Sequence, residues 1–265
     1  MNQASGLFKL TEEAKRRNKI KTFAITSGKG GVGKTNVVVN LAVSLAKTGL
    51  RVAVIDADYG LGNIDILLGI DPEYELTDLF KTGKRIEDIA VEKNGIIIIP
   101  AGSGIQSLSQ LTDEQEVILH SEMERLKENN DILIIDTAAG ISDNVISLLL
   151  SSDEILLVVS PEPTSVVDAY AVVKVVTELD RNKKFSVIAN MVNDANEASE
   201  LYLKLARATN KFLNKKIATM GFVTKDNNLI KSVRYQIPVV EKYPDSVCSK
   251  DILKISKKIS KKVNN

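Results

Sequence analysis

The chain has 265 residues, 44% hydrophobic and 26% charged, with a formal net charge of +1. These values fit a globular chain long enough for one large core, and a charge so near zero supplies no basic field for nucleic acid. A single cysteine, Cys248, excludes an intrachain disulfide and any cysteine-held cluster built by one chain.

Residues 1–19 read as a polar arm. Lys9, Glu12, Glu13, Lys15, Arg16 and Arg17 precede any apolar run, so no secretory leader is expected. No segment reaches the ~20 apolar residues that span a bilayer, and the expected location is cytoplasmic. From residue 20 onward, short apolar runs alternate with helical patterns. Strands are predicted near Ile20–Ser27, Arg51–Asp56, Ile96–Pro100, Ile132–Asp136, Glu154–Val159, Phe185–Met191 and Ile217–Val223. Helices are predicted near Lys34–Lys47, Asp113–Glu128, Asp143–Leu150, Ser165–Leu179, Glu197–Leu213 and Val247–Val263. Thr112 and Gln115 have the spacing of a capping box. Near-continuous Ile/Val/Leu strands are those of a sheet covered on both faces. The expectation is one α/β domain over residues 20–245, with a mostly parallel central sheet flanked by helices on both faces. Residues 246–265 are read as a separate C-terminal basic helix.

The run Gly28-Lys29-Gly30-Gly31-Val32-Gly33-Lys34-Thr35 fits G-x-x-x-x-G-K-[ST] between a predicted strand and a predicted helix. Glycines allow backbone N–H groups to turn toward phosphate oxygens, and a helix start adds the positive end of its dipole. Gly28, Gly30, Gly31, Val32, Gly33, Lys34, Thr35 and Asn36 are therefore nucleotide-binding candidates, with Lys34 on the β/γ-phosphates and Thr35 on Mg²⁺. Asp56 and Asp58 end the second strand. Residues two apart in a strand point the same way, so both carboxylates are expected to face the phosphates. Asp136 ends an apolar strand in a Walker B pattern and, with Thr35 and Asp56, is a metal candidate. Thr137 follows Asp136, so the Asp-Glu pair that supplies a base in fast ATPases is missing. Asn182-Lys183-Lys184-Phe185 lacks the aspartate that reads guanine, which favours ATP. His120 is read as a surface or packing residue.

The extra lysine, Lys29, makes the loop K-G-G-V-G-K-T, which resembles the deviant Walker A motif of the MinD/ParA ATPases. The resemblance implies a homodimer enclosing two ATP molecules, with Lys29 reaching the nucleotide of the other copy. It implies that Asp58 positions the attacking water, that Asn63 contributes through the switch segment, and that Asn190 reads the adenine edge. Four segments resemble the FlhG-type flagellar number regulators of that family: 34–37, 58–69, 136–141 and 161–170. Gln236-Ile237-Pro238-Val239-Val240 extends the match. Thr224 departs from it, standing where relatives usually have proline. Asn2-Gln3-Ala4 resembles an arm that stimulates a flagellar GTPase of the signal-recognition-particle type, with Gln3 as the contact residue. The C-terminal helix sets Ile252, Ile255, Ile259 and Val263 on one face. Beside them, residues 250–265 carry six lysines against one aspartate, +5, a composition that suits an anionic membrane surface. Division-site or chromosome positioning is the alternative function. A metal-cluster scaffold lacks its cysteines, and an ATP-dependent ligase lacks a second substrate motif.

Overall fold

The computed structural model describes residues 20–59, 62–101 and 111–264. Gln3 and the arm of residues 1–19 lie outside them. The strands are β1 (Lys21–Thr26), β2 (Val52–Ala57), β3 (Val91–Lys93), β4 (Ile96–Ile99), β5 (Ile132–Thr137), β6 (Glu154–Val159), β7 (Lys184–Val192) and β8 (Ala218–Thr224). They form one sheet in the order β3-β4-β2-β5-β1-β6-β7-β8. Every neighbouring pair is parallel except β3–β4. The connection after β1 runs to the β5 side and the connection after β6 to the β7 side, so the C-terminal ends of these neighbouring strands form the crevice where such sheets bind ligands.

Alternation along the strands feeds two cores. Phe23 and Ile25 of β1, Ile132 and Ile134 of β5 and Leu156 and Val158 of β6 pack under α1 (Lys34–Ala46). The opposite face, with Ala24, Leu133, Ile135, Ile155 and Leu157, is covered by α5 (Asp113–Asn129), α6 (Asp143–Ser151), α7 (Pro163–Leu179) and α8 (Ala195–Leu213). The Thr112–Gln115 capping box forms as expected, with Gln115 N donating to Thr112 Oγ1 at 3.3 Å and Thr112 N to Gln115 Oε1 at 3.0 Å. Short elements that carry too few residues for a periodic signal complete the fold. These are α2 (Ile64–Leu68), α3 (Asp78–Lys81), α4 (Ile86–Ile89), α9 (Asn227–Arg234), α10 (Val239–Lys242) and the edge strand β3.

The last helix, α11 (Val247–Asn264), requires a correction. Ile252, Ile255, Ile259 and Val263 are buried in the α1-side core, so the face expected to meet a membrane is inside the domain. Four of its six lysines are also committed to contacts, Lys250 among them through Asp245 at 3.8 Å. Lys262 pairs with Glu154 of β6 at 2.6 Å, Lys258 donates to the Met220 carbonyl at 2.9 Å, and Lys254 pairs with Asp251. The domain therefore runs to Asn264, and residues 246–264 are part of its core. Thr224 belongs to the same junction. Its N–H and hydroxyl donate to Asp251 Oδ2 at 3.2 and 2.7 Å, and a proline there would lack the first donor. Among the described residues no helix is long and apolar enough to cross a membrane.

Candidate nucleotide site

The phosphate loop follows directly from β1 and opens α1. Gly31 and Gly33 hold φ of 82° and 80°, in the left-handed region. Gly28 is required for another reason: a Cβ there would lie 2.2 Å from the Asp168 carbonyl carbon, so the loop packs directly on the α7 backbone. The N-cap of α1 is Gly33, which offers no capping side chain, and the first turn carries no acidic residue. Its N–H groups and dipole are thus available to an anion.

Lys34 and Asp136 form a buried ion pair at 2.5 Å. Burial pushes the Asp136 carboxyl upward, while Lys34 and the Thr35 hydroxyl bonded to it oppose that shift. The second oxygen, Asp136 Oδ2, is buried and has no hydrogen-bond partner. A carboxylate oxygen left in this way beside a threonine hydroxyl suits a hard, oxygen-seeking cation, so Thr35 and Asp136 fit Mg²⁺. No group of three or more His, Cys, Asp or Glu side chains among the described residues forms a metal site by itself.

Asp56 plays a part that the sequence reading missed. Its carboxylate accepts from the N–H groups of Asp58 at 3.1 Å, Asn63 at 3.0 Å and Ile64 at 3.2 Å. It thereby shapes the switch segment and caps α2. Asp56 pairs in register with Asp136, and burial, then the Asp136 charge, pushes its carboxyl up to about 7. Asp58 lies one residue past the end of β2, so strand alternation does not orient it. The turn anchored on Asp56 brings it to the cleft instead. Asp58, Asn63, Ile66 and Leu67 face residues 30–36, Ala139 and Val233 around a cleft of about 420 Å³.

Asn190, expected on the adenine, is buried at the end of β7 and packs on the loop itself. Its Nδ2 donates to the Val32 carbonyl at 2.7 Å, and a Cβ on Gly33 would come within 2.5 Å of that nitrogen. Asn190 therefore shapes the phosphate loop. Lys29 projects outward, where it pairs with Glu162 and donates to Thr164 Oγ1 at 3.2 Å. The second switch is fixed to the loop by Gly140 N, which donates to the Ser27 carbonyl at 2.9 Å. His120 Nε2 lies 3.4 Å from Ser147 Oγ, between α5 and α6.

A P-loop at the topological switch of a parallel sheet, with a lysine, a hydroxyl and an acidic strand end converging on it, defines a nucleoside-triphosphate-binding protein. The AAA domain family matches residues 20–189. The antiactivator FleN of Pseudomonas aeruginosa is 39% identical over 241 residues, covering 91% of this chain and 86% of that protein. The flagellum site-determining protein YlxH of Helicobacter pylori is 32% identical over 238 residues, covering 89% and 80%. A chain of the MinC:MinD cell division protein complex of Aquifex aeolicus superposes with a TM-score of 0.71 at 26% identity, covering 90% and 95%. The chain belongs to the MinD/ParA family of P-loop ATPases.

Proposed function

We propose that this protein is a Mg²⁺-dependent ATP switch that limits the number and placement of flagella. The observation that carries the reading is the pairing of a complete phosphate loop with the outward-facing Lys29. Lys34 would leave Asp136 for the β/γ-phosphates, and Thr35 and Asp136 would hold the metal. Mg²⁺ supplies charge neutralisation at the phosphates when bound. Asp58 orients the attacking water, and Asn63 and Asn36 complete the site. Thr137 stands where a motor ATPase carries its glutamate, so hydrolysis is slow and the ATP state lasts long enough to be sensed.

Lys29 is held by Glu162 of its own chain and must exchange that partner for the nucleotide of a second copy when the homodimer forms. The dimer is the signalling form, and hydrolysis returns it to monomers. With the apolar face of α11 inside the core, exposed Lys257 and Lys261 remain for an anionic surface. At roughly 1 kcal/mol per lysine they would give only weak attachment. The output is therefore assigned to protein partners, among them a flagellar GTPase of the signal-recognition-particle type met by the arm that carries Gln3.

The test is to count flagella by electron microscopy in cells lacking the protein and in cells carrying only Lys34→Ala. Extra or misplaced flagella with normal septa in both strains are expected. Normal flagella accompanied by minicells or anucleate cells would refute the flagellar role and move the switch to division or chromosome positioning.

A further inference from the structure

Gln236 opens the Gln236–Val240 segment and lies outside the phosphate loop, yet it holds a backbone conformation unusual for its side chain. Its φ is 53°, in the left-handed region. It closes α9: Gln236 N donates to the Val233 carbonyl at 3.0 Å and Ile237 N to the Ser232 carbonyl at 3.2 Å. Glycine takes this helix-ending position at no steric cost, so a glutamine held there points to a use for its side chain.

That side chain crosses 170 positions of sequence. Gln236 Nε2 donates to the Ile66 carbonyl at 3.0 Å, within the last turn of α2. The Ile66 carbonyl otherwise accepts a long bond from Gly69 N at 3.4 Å, so the glutamine amide supplies the shorter of its two hydrogen bonds. The contact is close, since a Cβ on Gly69 would meet Gln236 Cβ at 3.3 Å. At the other end of α2, the Asp56 carboxylate accepts from Asn63 N and Ile64 N. Both ends of this short helix are thus tied to other parts of the domain. The cleft uses both joined elements: Asn63, Ile66 and Leu67 line it from the α2 side and Val233 from α9.

We infer that Gln236 is a positioning residue for ATP turnover: by donating to Ile66 it fixes α2, and with it Asn63 and the wall beside Asp58, against α9. This rests on the ATPase reading above. Because Asn63 and Asp58 line the same cleft, loosening α2 is expected to lower the turnover rate.

The test compares three variants of the full chain for ATP turnover and for amide exchange of residues 64–69 without nucleotide. Gln236→Glu keeps the shape and removes the donor, Gln236→Lys keeps a donor, and Gln236→Gly relaxes the backbone while removing the side chain. Loss of one hydrogen bond corresponds to about a 3- to 10-fold fall in kcat. That fall is expected for the Glu and Gly variants, together with faster exchange over 64–69. The Lys variant should keep more than half of the wild-type kcat, and the Gly variant should melt no lower than the wild type. Wild-type kcat and exchange in Gln236→Glu, or an equal loss in Gln236→Lys, would overturn the inference. Absence of turnover in the wild type would refute the ATPase reading alone, and the exchange comparison would still decide whether Gln236 clamps α2.

Discussion

Replacing Ile259 with alanine separates a core helix from a detachable membrane segment. Ile259 is 0% exposed and lies on the line Ile252–Ile255–Ile259–Val263 that packs α11 against α1 and β8. Truncating a buried isoleucine removes its transfer free energy and leaves a cavity, together costing about 2–5 kcal/mol. The backbones around it belong to a sheet and two long helices, which collapse poorly into a void, so the upper half of that range applies. Against a total stability of about 5–15 kcal/mol, this is a large fraction. At roughly 2–4 °C per kcal/mol for a domain of this size, the melting temperature falls by about 7–20 °C. Calorimetry or circular dichroism on the purified protein, without lipid, reads the shift. A melting temperature unchanged within about 2 °C would refute the packing argument and restore α11 as a segment independent of the core.

Four other outcomes follow from the site and its supports. Asp136→Ala should abolish Mg²⁺-dependent ATP binding in calorimetric titration; undiminished affinity would remove Asp136 from the metal site. Gly28→Ala places a methyl group on the α7 backbone and should lower both stability and nucleotide affinity, whereas Gly30→Ala, with no atom within 4 Å of the added Cβ, should leave stability unchanged in thermal melts. Asn190→Ala removes a buried bond to the Val32 carbonyl and should cost about 1–3 kcal/mol while weakening ATP binding; a loss of base selectivity with stability intact would return Asn190 to the adenine. Burial raises the Cys248 thiol to about 11, so the folded state prefers the protonated form more strongly than the unfolded chain does. The stability this confers is complete below the unfolded thiol pKa and is lost as the pH rises toward about 11. Cys248→Ala should flatten that decline in urea titrations followed across alkaline pH.

The phosphate loop, the strand–helix alternation and the long helices were legible in the sequence because each rests on neighbouring residues: glycines where the backbone must turn, apolar repeats at one period, and a capping pair three apart. The long strands and helices fall within a few residues of their predicted ends for the same reason. The roles that escaped sequence reading are those in which distant segments compete for one group. Asp56 and Asp136 look alike as acidic strand ends, yet the returning switch segment presents three backbone donors to the first and leaves an oxygen of the second unpartnered. Asn190 could turn toward a base or toward the loop, and its amide donates to the Val32 carbonyl. Thr224 reads as a departure from pattern until Asp251 of α11 arrives to accept from it.

The C-terminal helix marks the boundary most clearly. Its sequence fixes an apolar stripe and a lysine-rich back, because helical periodicity is a local property of the chain. A stripe of isoleucines gains about as much against the edge of a sheet as against lipid, since both remove similar apolar area from water. The choice between them was made by tertiary structure: the sheet beside α1 left a face the size of that stripe, and Glu154, Met220 and Asp251 stood where three of the lysines could close on them.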